Sequence, residues 1–137
     1  MRIAGLVAQS IVRVCVAFQV VTGLLFWTGN VYQLVPLHML SGSLVVIGLW
    51  TLAALGRWAG ASLGRVALAL GWGGLVLALG MNQTQILEGD LHWVVQVLHL
   101  AVGLAAAAQA EQLGALARRR TSPSAAAGRT PIMAGPG

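Results

Sequence analysis

Four apolar runs, each close to 20 residues long and almost free of charge, constrain this chain more than any other feature. Hydrocarbon offers no water to satisfy backbone N–H and C=O groups, so a run of that length must satisfy its own, as a helix. Spans are predicted at about 5–28, 37–56, 66–82 and 91–113. The expected fold is an all-α integral membrane protein, a four-transmembrane-helix up-down bundle occupying residues 1–114. The balance of residues agrees: 58% are hydrophobic and 8% charged, where a soluble domain carries roughly a quarter charged.

The eight basic residues are all arginine, and their placement sets an orientation. Arg2 and Arg13 lie near the N-terminus, Arg57 and Arg65 flank the second connection, and Arg118, Arg119, Arg120 and Arg129 follow the fourth span. The other two connections carry none, so both termini are expected on the cytoplasmic side, in a bacterial cytoplasmic (inner) membrane. Arg13 interrupts the first span and is expected to snorkel to the nearer headgroups. The Arg118-Arg119-Arg120 run beside a membrane helix points to anionic lipid, not to nucleic acid. Residues 115–137, arginine-rich and then built from Ala, Gly, Pro and Ser, have nothing to bury and are expected to form a disordered cytoplasmic tail. The first span has no small-x-small cleavage site after it and is expected to be retained. Cys15, the single cysteine, reads as a packing residue.

Local signals refine the bundle. Gln19, Thr22 and Gly23 form a small polar stripe of the kind that faces other helices. Pro36 suits the first turn of the second helix, and Asp90 is placed to cap the fourth. On the third helix Ala67, Gly71, Gly74 and Ala78 recur at three- and four-residue steps, a spacing that permits close backbone approach. That face serves either internal packing or a partner, the latter a second copy of the chain or a paralogous membrane subunit.

The chemistry-bearing residues are three histidines. Leu91–Gly103 is an almost wholly apolar stretch carrying His92 and His99, seven residues apart and therefore on one helix face. His38 stands in a second apolar stretch, Leu37-His38-Met39-Leu40-Ser41-Gly42. A glycine follows by four in two cases, Gly42 after His38 and Gly103 after His99, giving clearance one turn along the same face. An ionisable ring in a membrane helix marks a functional position. Too few carboxylates lie in the spans for a proton relay, and no third deep ligand completes a zinc site. Two imidazoles on two helices are enough to hold a haem iron from both sides. With helix starts at Pro36 and Leu91, His38 lies about 3 Å and His99 about 12 Å into its helix. His92 matches the depth of His38 better, whereas His99 has the apolar setting and the glycine. We take His38 and His99 as the ligand pair. His92 is then expected nearer the surface beside a propionate, with Gln96 and Ser41 orienting the rings.

At these residues the chain resembles one four-helix half of the haem A synthase family and, more loosely, the small four-helix membrane cytochromes b. Leu37–Gly42 looks like that family's second-helix motif, and Val97-Leu98-His99-Leu100-Ala101 like its fourth, over about residues 10 to 112. The resemblance implies a four-helix bundle with histidine ligands on helices two and four and haem b as the cofactor. The family's enzymatic half carries a glutamate shortly before the second-helix histidine and an arginine just after it. Leu34, Val35 and Met39 stand in that neighbourhood here, and the outer-loop cysteine pair of some members is absent. The reading is therefore a b-type haem protein for electron transfer or haem handling near the outer leaflet, with no catalytic constellation. The alternative is a non-catalytic scaffold or assembly subunit of a larger membrane complex.

Overall fold

The computed structural model describes residues 2–29 and 31–119. Nearly all of them fall in four helices, α1 (Arg2–Trp27), α2 (Val35–Trp58), α3 (Leu63–Asn82) and α4 (His92–Arg119). Each is long and apolar enough to cross a membrane. Short 3₁₀ turns at Tyr32–Leu34, Gln83–Gln85 and Gly89–Leu91 lie in the first and third connections.

The helix ends follow local chemistry. Pro36 sits in the first turn of α2, where its missing N–H costs nothing. At the other end the Ala61 N–H reaches the Gly56 carbonyl at 2.8 Å and the Gly60 N–H reaches that of Arg57 at 3.0 Å. This paired closure requires a left-handed residue, supplied by Gly60 at φ +95°. Ser62 then caps α3, its hydroxyl facing the Arg65 N–H, so α3 begins at Leu63 and not at residue 66. Asp90, expected as the cap of α4, lies within the 3₁₀ turn, and the helix starts at His92. The fourth helix also runs on to Arg119, past the expected end at 113. Gly114 is no stop signal there: a Cβ on it would lie 2.9 Å from Gln9 Cδ, so the glycine exists to let α1 approach. The Ala, Leu and Arg residues after it are strong helix formers. Residues 115–119, expected to begin the disordered tail, thus belong to α4, and the rest of the expected tail lies outside the described residues.

Helices α2 and α4 pack on one another, and α1 and α3 each pack against both. The central role of α2 is visible in its buried face, Ser41, Val45, Gly48, Leu49, Leu52, Ala53 and Gly56, which repeats at three- and four-residue steps. Cys15 packs against this core, as expected of it. Close approach depends on buried glycines: a side chain on Gly48 would drive into Val12, and one on Gly73 into the Trp50 indole. The stripe Ala67, Gly71, Gly74 and Ala78 behaves differently. All four are exposed, and a Cβ on Gly71 or Gly74 would meet nothing within 4 Å. The inward face of α3 is Ala69, Gly73 and Val76 instead. The outer surface is broadly apolar, with Ile3, Val14, Leu40, Ile47 and Leu68 all exposed, which suits contact with lipid tails far better than water.

One end of the bundle is tied by a polar cluster. The Arg13 guanidinium donates to both oxygens of the Glu111 carboxylate, at 2.6 and 2.8 Å, and does not extend alone to the headgroups as expected. The Gln9 amide also donates to Glu111, and its oxygen accepts from Arg118. Arg13 and Glu111 are well exposed, at 60% and 41%, so the ion pair itself contributes little. Gln9 is only 2% exposed and must have its partners. Glu111→Ala should therefore lower the melting temperature in detergent more than Arg13→Ala does. Equal effects would mean that the ion pair, and not the buried amide, holds this end together.

Candidate functional site

The opposite end encloses a cavity of about 230 Å³, formed by the last turns of α1 and α3 and the first turns of α2 and α4. That is many times the roughly 10–15 Å³ needed to hold one water. Its walls are largely apolar, from Val16, Val20, Leu24, Val76 and Leu100, with few polar groups. His38 and His99 both line it, as do Gly42, Gly103 and Gln96. The imidazole centres of His38 and His99 stand 6.4 Å apart, with ring planes inclined at 41°. Their unequal positions along the sequence of each helix do not separate them. The 3₁₀ turn at Tyr32–Leu34 leads directly into α2 and α4 starts late, at His92, which reduces the offset between them. His92 is half-buried and takes no part in lining the cavity.

Each ring is held differently. His38 Nδ1 lies 2.6 Å from the Thr22 hydroxyl, and the Phe26 ring meets the imidazole edge to face with centres 5.1 Å apart. The backbone at this point is tied as well, since the Gln19 amide donates to the His38 carbonyl and, at 2.9 Å, to the Ser41 hydroxyl. Ser41 in turn donates to the His38 carbonyl at 3.0 Å. Thus Thr22 orients the His38 ring, and Ser41, expected in that role, holds the backbone below it. Gln96 accepts from the Trp27 indole and makes no bond to His99. His99 Nδ1 is buried without a hydrogen-bond partner among the described residues.

The glycines also divide. Nothing lies within 4 Å of a Cβ on Gly103, so its absent side chain leaves open cavity. A Cβ on Gly42 would lie 3.0 Å from the Gln19 amide nitrogen, so this glycine admits Gln19. Gly80, which the sequence does not single out, passes close to His99: a Cβ there would be 3.3 Å from its Cε1. Phe26 is equally unannounced, although its place one turn beyond Thr22 on α1 puts it on the same face.

The arrangement offers two imidazoles facing one apolar cavity across two helices. Among the described residues no third histidine, cysteine or carboxylate joins them to make a metal-binding cluster. Compared with protein-family models, curated proteins and solved structures, the chain matches none.

The contrast between the glycines is testable. Gly103→Ala adds a methyl to open space within a helix and should stabilise the protein by about 0.5–1 kcal/mol. Gly42→Ala should forfeit that gain, because Gln19 must leave the His38 carbonyl and Ser41. Thermal unfolding in one detergent compares them, and equal stabilisation by both would contradict the Gly42–Gln19 contact.

Proposed function

We propose that this chain is a membrane haem-binding protein that carries haem b between His38 and His99, for one-electron transfer or haem handling near the outer leaflet. The spacing of the two rings carries this reading. A metal–imidazole bond is about 2.0–2.1 Å and a ring nitrogen lies about 1.1 Å from the ring centre, so imidazoles on opposite sides of one metal have centres roughly 6.3 Å apart. The observed 6.4 Å agrees. Apolar walls and the open space beside Gly103 suit a flat, greasy macrocycle. When bound, the haem would supply the one-electron chemistry. The residues of the chain would position it: His38 and His99 as the imidazoles that would hold its iron, and Gln96 and Gln83 as polar groups in the cavity wall. His92 does not line the cavity, which favours His99 over it as the partner of His38.

We further propose an up-down-up-down bundle with both termini in the cytoplasm of a bacterium and the cavity toward the outer face of its inner membrane. Arg57, Arg65, Arg118 and Arg119 lie at the end of the bundle opposite the cavity, with Arg13 further along α1 toward its middle, which favours that orientation. Reporter fusions after Trp58 and after Gln85 should report cytoplasmic and external positions respectively. The reverse pattern would overturn the orientation.

A second reading, a scaffold or assembly subunit, is favoured by the outward-facing small residues of α3, which would accept a helix of a partner or of a second copy. The visible spectrum separates the two. Protein purified in detergent, or reconstituted with haemin, should give a sharp Soret and alpha band on reduction, and His38→Ala with His99→Ala should abolish both bands. Protein that stays colourless with added haemin would favour the scaffold.

A further inference from the structure

The two imidazoles differ in how the protein prepares them, and Thr22 makes the difference. We propose that Thr22 locks His38 in the Nδ1–H tautomer, leaving Nε2 with a permanently available lone pair, so that His38 is the anchoring metal ligand of the cavity. The argument is proton accounting. The Thr22 hydroxyl has one hydrogen, and its Oγ1 lies 2.8 Å from the Phe18 carbonyl oxygen, with the Gln19 carbonyl further off at 3.3 Å. Carbonyl oxygens only accept, and two oxygens at 2.8 Å repel unless a hydrogen lies between them. The hydroxyl proton is therefore spent on Phe18, and at the 2.6 Å contact Thr22 can only accept from His38. That places the hydrogen on Nδ1, and a neutral imidazole then carries its bare lone pair on Nε2, the form a metal requires.

His99 has no such device. Its Nδ1 is buried and unpartnered, so no group among the described residues selects its tautomer or steadies the ring through that atom. A metal held by the pair would be fixed at His38 and more easily released at His99. This part rests on the haem reading; the tautomer of His38 does not.

Imidazole-¹⁵N NMR of detergent-solubilised protein tests the lock with no metal present. The chain has three histidines, and a His92→Gln background reduces them to the two of interest. His38 should be the Nδ1–H tautomer, Thr22→Val should return it to a mixture, and Thr22→Ser should restore it. His99 should be indifferent to both changes. A His38 ring protonated on Nε2, or one unmoved by Thr22→Val, overturns the proposal. Haemin added to the same samples tests the consequence: Thr22→Val should weaken retention about 10–100-fold, with rescue by serine. His99→Ala should keep haemin that His38→Ala loses, and the opposite order would overturn the anchoring role. Wild-type protein that takes up no haemin counts against the haem reading alone, and the ¹⁵N spectra then decide the lock.

Discussion

Four helices this apolar carry few hydrogen-bonding side chains, and those the bundle turns inward are answered by another helix or by their own backbone, with His99 Nδ1 the exception among the described residues. Few such groups exist, and they are gathered at the two ends of the bundle. At one end Gln9 is enclosed and reached by Glu111 and Arg118, with Gly114 giving it room. At the other, Gln19, Thr22, His38 and Ser41 answer one another across α1 and α2. Between them the interior is wholly apolar, built on Leu49 and Leu52 of α2. The polar ends fix register along the axis, while the small residues of the middle fix the distance between helices.

That division explains why the cavity sits where it does. In the middle, Gly48 and Gly73 are filled against by Val12 and Trp50, so the backbones close and no space remains. Nearer the histidines, Gly103 has no neighbour within 4 Å, and Gly80 is approached only by the His99 ring. The same residue type thus performs opposite tasks, closing the bundle where a large side chain faces it and opening it where none does. The Trp72 indole, which donates to the Val102 carbonyl at 2.9 Å, ties α3 to α4 just below the opening.

Much of this was legible in the residues. Run length and the scarcity of charge announced four helices, and Pro36 and the Arg57–Arg65 connection marked where α2 begins and ends. The candidate pair His38 and His99 was legible too, from apolar surroundings and glycine spacing, although a simple count along each helix set them about 9 Å apart in depth. The count misled because it treated helix starts as lying in one plane. Which face of α3 turns inward was not legible, since Ala67-Gly71-Gly74-Ala78 and Ala69-Gly73-Val76 are equally small and differ only by rotation about the axis. Nor was the fate of Arg13: an arginine that snorkels and one that finds Glu111 98 residues away look the same in sequence.

The polar stripe on α1 carries the last step. Gln19, Thr22 and Gly23 would serve any helix interface, but here each meets the same short length of α2 in its own way. Gln19 takes the His38 carbonyl, which a helix interior already uses, so the extra bond serves to fix backbone position more than to satisfy an orphan group. Thr22 takes the ring nitrogen. Gly23 lies beside the same ring, where a Cβ would sit 4.0 Å from Cε1, in ordinary contact. One turn of α1 therefore governs the height and the rotation of a single imidazole. Among the described residues no comparable element addresses His99, whose neighbours Gly80 and Gly103 contribute space and no bond. A bundle whose histidines merely filled volume would have no need to treat them so unequally.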